Sequence, residues 1–210
     1  EGLKALSALG FEASLTAVVT RENLKDLEGL PALAHRLGAK SVHLMWLHKR
    51  GRILETAGGG SFPSTTELLA LSRKVKAASD ELGILFDNFA SIRSRVNGRP
   101  GIKHDLGNLC WESLCLYRDG QVYPSAALAG IPTLSLGSAR RSLLRTLWLE
   151  SPVARAFREA SVAQIDWLTG HPFRYLTGGG DMEHGTLFSG NGKEGSLLAQ
   201  DPYHELYVEL

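Results

Sequence analysis

The feature that most restricts this chain is an alternation over residues 1–90, where amphipathic helical stripes take turns with short apolar runs rich in β-formers. Leu3, Leu6 and Leu9 recur at helical spacing and stop at Gly10, after which Phe11 to Thr20 (FEASLTAVVT) is an extended apolar run. Thr20 is placed to cap the next helix, with Asn23 three residues on. Leu24, Leu27, Leu30, Leu33 and Leu37 then carry a stripe to Gly38, with Pro31 set to kink or break it. Ser41 to Leu47 (SVHLMWL) is the second apolar run. Thr66 to Leu82 reads as a helix with Leu68, Leu71, Val75 and Ala78 on one face, and Gly83 to Phe89 (GILFDNF) as a third strand. Helix, strand, helix, strand, helix, strand predicts parallel βα units, whose strands are buried on both faces. Three such strands make either a small open sheet or the later part of a larger barrel, and the second is the more economical. A chain that opens with Glu-Gly-Leu-Lys inside a helical stripe is expected to be the C-terminal piece of something longer.

Residues 91–108 carry Arg93, Arg95, Arg99 and Lys103 among three turn signals, which predicts a linker. The expected division is therefore 1–104 and 105–210. Beyond it, Glu112 to Arg118, Asp119-Gly120 and Gln121 to Tyr123 predict a β-hairpin with a two-residue turn. Ala139 to Leu149 and Pro152 to Ala163 predict short helices, the second with Ser151 as N-cap and Pro152 at its first position. The fold class expected is α/β for the first part and small α+β for the second.

Composition narrows the partners. Lys plus Arg number 23 against 22 Asp plus Glu, so no global field draws nucleic acid or an anionic membrane. Arg140, Arg141, Arg145, Arg155 and Arg158 read as a solvated face. No apolar run approaches the roughly 18 residues needed to span a bilayer. Two cysteines, Cys110 and Cys115, form no disulfide framework, which with the lack of a signal peptide leads to a cytoplasmic expectation.

Gly190-Asn191-Gly192-Lys193-Glu194-Gly195 fits G-x-G-x-x-G, but no strand precedes it and no full helix comes before Asp201-Pro202, so it is expected to be a plain loop. The triple glycines at Gly58 to Gly60 and Gly178 to Gly180 could each form an amide nest for an anion. His171, Asp181, Glu183 and His184, with His204 further on, make the densest polar cluster. Imidazole plus carboxylate suits Zn²⁺ or Fe²⁺, although the spacing matches no standard motif and capping in a turn-rich segment is the plainer reading. His35, His43 and His48 read as structural histidines.

These residues resemble the C-terminal half of a radical S-adenosylmethionine enzyme followed by a SPASM domain. The stretch GFEASLTAVVTRENLKDLEGLPALAHRLGAKSVHLMWLHKRGRI resembles the later βα units of that family's partial barrel. Cys110, LCLYRDGQVYPS, LGSARRSLLRTLW, SPVARAFREA, FRYLTGGGDMEH and DPYH follow the SPASM order, in which cysteines surround auxiliary iron–sulfur clusters. The resemblance implies S-adenosylmethionine and a 4Fe–4S cluster, whose C-x-x-x-C-x-x-C loop is absent from this chain. It also implies an N-terminal half-barrel as partner and a peptide or protein substrate. Thr20, Asn23, His48 and Asp87 fall at strand ends where cofactor-binding groups would stand.

The departures concern the cysteines. Cys110 matches the opening ligand, whereas Ser125, Thr177 and His204 stand where the pattern has cysteines, and His171 is read the same way. Four thiolates ordinarily hold a four-iron cluster, so no conventional auxiliary cluster is expected. Two functions are then open: the C-terminal portion of a peptide-modifying radical enzyme, inactive alone, or a non-catalytic relative that binds a peptide or protein. The second could carry a mononuclear Zn or Fe site on Cys110, His171, His184 and His204.

Overall fold

The computed structural model describes residues 1–56, 60–89 and 109–210. The first part runs α1 (Gly2–Ala8), β1 (Ser14–Val18), a 3₁₀ turn (Arg21–Asn23), α2 (Leu24–Leu27), α3 (Leu30–Leu37), β2 (Ser41–Met45), α4 (Ile53–Thr56), α5 (Thr65–Leu82) and β3 (Leu85–Phe86). The strands form one parallel sheet in the order β1-β2-β3, with Ser14 opposite Ser41 and Ser41 opposite Leu85. Its carboxyl ends lie at Val18, Met45 and Phe86.

Local chemistry explains these boundaries. The expected helix from Leu24 to Leu37 is two helices, because Gly29 caps a fresh start and Pro31 sits in its first turn, where it has no backbone donor to lose. Helix α5 opens on a capping box. The Ser64 hydroxyl accepts the Glu67 N–H, the Glu67 carboxylate accepts the Ser64 N–H, and Gly83 closes the helix in the left-handed conformation. Its buried face is Leu68, Leu71, Ser72, Val75 and Ser79, so Ser79 takes the place expected for Ala78. That face packs with Val42, Leu44 and Phe86 of the sheet in one apolar core. Strand β3 is short, but Asn88 prolongs its pairing: its side chain accepts from Leu44 N at 2.8 Å and donates to Leu44 O at 2.7 Å.

The second part holds an antiparallel sheet of β4 (Cys115–Leu116), β5 (Gln121–Tyr123) and β6 (Gly137–Ser138). The hairpin is present, with a three-residue connection instead of the two expected. Tyr117 N donates to Gln121 O, and Gly120 takes the left-handed conformation at φ 85° that closes this longer turn. Helices α6 (Leu144–Glu150), α7 (Pro152–Glu159), α8 (Arg174–Thr177) and α9 (Met182–Ser189) come next. Helix α6 starts after the expected Ala139, because the chain is still turning out of β6 there: Arg141 and Ser142 both donate to Ser138 O. Arg158 is not simply solvated, since its guanidinium donates to Cys110 O at 2.8 Å and to Trp148 O.

The last helix, α10 (His204–Glu209), returns to the first part and packs on α5, so Tyr203 and Leu206 belong to the parallel-sheet core. Among the described residues, no helix is long and apolar enough to cross a membrane. The expected linker 91–108, the boundary at 104/105 and most of the first triple glycine lie outside the described residues.

Candidate functional site

The densest polar chemistry gathers where the carboxyl end of β2 meets the start of α9. Gly178, Gly179 and Gly180 have φ of 59°, 86° and 86°, conformations that turn the chain sharply from α8 into α9. The anion received by this run is the chain's own: Asp201 Oδ2 accepts the Asp181 N–H at 2.7 Å. A Cβ at Gly180 would stand 2.6 Å from that same oxygen, so glycine is needed for the approach as well as for the turn. Asp181 then caps α9, accepting the Glu183 N–H at 2.7 Å through Oδ1.

One helical turn on, His184 lies over Asp181, with Nδ1 3.6 Å from Asp181 Oδ2 and 3.7 Å from Asp201 Oδ1. Asp201 is 0% exposed and His184 2%. His48, three residues past the end of β2, stacks against His184 with ring centroids 4.7 Å apart, and its Nε2 is 3.3 Å from Glu183 Oε2. Burial pushes the His184 imidazole down, but the Asp181, Asp201 and Glu183 carboxylates outweigh it and bring its pKa up to about 9. Burial raises Asp181, against the pull of His184. Glu183 is lowered despite its burial, chiefly by His48 and Ser125.

Beside this cluster lies a cleft of about 420 Å³ lined by Lys49, Leu54, Phe62, Phe188 and Asn191. Its wall is partly the G-x-G-x-x-G segment, which is a tight loop after α9 with no helix behind it, as expected. A Cβ at Gly192 would meet Leu54 Cδ1 at 2.5 Å, so the glycine serves packing.

The residues expected to line a cofactor pocket share the carboxyl side of the sheet, but most are engaged locally. Asn23 accepts from Thr20 N at 2.8 Å and donates to Val18 O at 2.9 Å, which fixes the turn leaving β1. Asp87 lies 2.6 Å from His43 Nδ1. His48 alone of the four joins the α9 cluster. The expected metal ligands do not converge as one set. Cys110 sits in the apolar core of the second part in a left-handed turn at φ 55°, not on a continuous strand. Its thiol is pushed up to about 11 by burial, with Arg158 pulling the other way. Donor atoms of His184 group with those of His48 and Asp181, and those of His171 with His204 and the exposed Glu205.

Sequence reasoning missed Arg50 and Asp201. The Arg50 guanidinium forks onto the carbonyls of Ala127 and Ala129, tying the β2 exit to the second part. Asp-Pro marks Asp201 only as a turn residue.

No family model matches the sequence. The PqqA peptide cyclase of Ruegeria pomeroyi is 30% identical over 159 residues, covering 73% of this chain and 40% of that protein. Native anSMEcpe with bound AdoMet superposes with a TM-score of 0.65 at 14% identity, over 97% of this chain and 55% of that one. Native anSMEcpe with AdoMet and Kp18Cys peptide gives 0.65 at 14%, over 97% and 56%. The chain is thus similar in sequence to a PqqA peptide cyclase and in fold to anSMEcpe. It spans less than two thirds of the length of each of these proteins.

At the positions read by resemblance as departures from cysteine, the side chains have other partners. Thr177 Oγ1 and His204 Nε2 lie 2.9 Å apart and buried, and the His171 ring stands edge-on to His204 at 5.2 Å. Ser125 Oγ accepts the Leu128 N–H at 3.3 Å. With two cysteines in the whole sequence, one of them in an apolar core that disfavours its thiolate, the donor set does not fit a four-iron auxiliary cluster.

Proposed function

We propose that this chain is the C-terminal portion of a radical S-adenosylmethionine/SPASM protein that modifies a peptide or protein, and that it shapes the substrate site. The carrying observation is the 30% identity to a PqqA peptide cyclase over 159 residues. In this reading, S-adenosylmethionine and a 4Fe–4S cluster on an N-terminal half-barrel supply the radical. The present residues supply the walls: strand ends at Thr20, His48 and Asp87, and a mostly apolar cleft beside Lys49 that suits a peptide side chain. The Arg50 fork and the His48–Glu183 pair hold those walls in register with the second part. The second part acts as scaffold, without electron transfer through an auxiliary cluster, because its donor set does not suit one. A cytoplasmic setting accords with the family's reducing chemistry.

The test is anaerobic incubation of the whole gene product, reconstituted with iron and sulfide and reduced, with S-adenosylmethionine. Formation of 5′-deoxyadenosine is expected. Cluster assembly without it would leave the other reading, a non-catalytic relative that binds a peptide or protein.

A further inference from the structure

The α9 cluster contains groups for which the radical reading has no use. We propose that His48, Asp181 and His184 form a mononuclear site for a divalent transition-metal ion, ligated by one ring nitrogen of each histidine and a carboxylate oxygen. Their donor atoms all lie within 4.8 Å of one another. In a tetrahedral site with bonds of about 2.0 to 2.2 Å, donors stand roughly 3.4 Å apart, so the three need draw in by at most about 1.4 Å.

Hydrogen bonding supports the assignment. Buried imidazoles ordinarily have hydrogen-bond partners, yet His184 Nε2 has none, His184 Nδ1 meets only carboxylates at 3.6 and 3.7 Å, and His48 Nε2 only the Glu183 carboxylate at 3.3 Å. Asp181 commits Oδ1 to the Glu183 N–H and turns Oδ2 toward His184 Nδ1, at 3.6 Å. Asp201 is no ligand, since both its oxygens accept backbone N–H groups, but its charge adds to the field. Three carboxylates, from Asp181, Glu183 and Asp201, therefore surround two imidazoles, a setting that demands positive charge. Two nitrogens and one oxygen suit Zn²⁺ or Fe²⁺ better than Mg²⁺ or Ca²⁺, and three protein ligands leave a coordination position open toward solvent or substrate.

This inference does not rest on the radical reading, and its test reads a different signal. The 210-residue chain, stripped with chelator, is titrated with Co²⁺ and followed by visible d–d absorption, with bound metal counted by mass spectrometry. One equivalent is expected, lost in His48→Asn and in Asp181→Asn. His48 is partly exposed and asparagine still caps a helix, so circular dichroism should report native folds in both variants. His171→Asn, in the other histidine group, should leave the signal unchanged. No binding, binding that survives both substitutions in folded protein, or loss in His171→Asn instead would each overturn the proposal.

Discussion

Asp201 and Asp181 are neighbours through a backbone bond, not in spite of their charges: Asp201 Oδ2 accepts the Asp181 N–H at 2.7 Å. The other Asp201 oxygen accepts the Tyr203 N–H at 2.8 Å. A fully buried carboxylate thus meets two amide dipoles and an imidazole, the kind of pairing that makes a buried charge tolerable. It also pins the final helix to the glycine turn before α9.

Asp201→Ala should therefore leave two N–H groups unpaired in a buried setting. At about 1 to 3 kcal/mol for each, the expected loss is on the order of several kcal/mol, read as a fall in the urea midpoint. Asp201→Asn keeps one acceptor oxygen and should lose less. Equal losses in the two variants would assign the effect to charge and contradict the hydrogen-bond origin.

Arg50→Lys removes the planar fork that reaches the carbonyls of Ala127 and Ala129 together. A lysine can serve one of them. The substitution should cost about 1.5 to 3 kcal/mol and hasten limited proteolysis. Unchanged cleavage kinetics would show that the clamp is not needed to join the two parts.

The contrast between what can and cannot be read from sequence comes from range. The βα alternation is legible because each element repeats its apolar residues within a few positions, and the parallel order β1-β2-β3 then agrees with crossover geometry. Gly120 is legible as a turn but not as a three-residue turn, since the register depends on Tyr117 meeting Gln121 across the hairpin. Arg50 is invisible because its partners lie 77 and 79 residues away. The histidine set divides for a similar reason. His184 is near His171 in sequence, yet it faces His48 because the turn at Gly178 to Gly180 redirects the chain between them.

The two thiols should separate in reactivity. Burial holds Cys110 at a pKa of about 11, so near pH 8 almost none of it is thiolate, whereas Cys115 is partly exposed on β4. Iodoacetamide followed by peptide mass mapping should mark Cys115 in the native protein and Cys110 only after unfolding. Equal labelling under native conditions would contradict the buried placement.

Helix α5 gives a pH signature. Backbone and hydroxyl hydrogen bonds from Ser64 hold the Glu67 carboxyl below its ordinary value of 4.5. The folded state therefore binds this proton less readily than the unfolded one. Its contribution is present above 4.5 and is lost as pH falls through the lowered folded value. Ser64→Ala should lower Tm by about 2 to 4 °C at neutral pH, with the gap to the parent narrowing below pH 4.5. A constant gap across that range would sink the idea.

Thr177→Val tests the buried Thr177–His204 pair. The Thr177 hydroxyl donates to Phe173 O at 3.2 Å and lies 2.9 Å from His204 Nε2, with His204 1% exposed. Losing it should cost about 1 to 3 kcal/mol, and Thr177→Ser should restore most of the difference. Full tolerance of valine would mean that His204 is held by packing alone.

The Thr177–His204 pair joins the short helix α8 to the last helix of the chain across 27 residues of sequence. Both ends of that contact are buried, so the stretch between them is fastened as a closed loop by side chains of the chain itself.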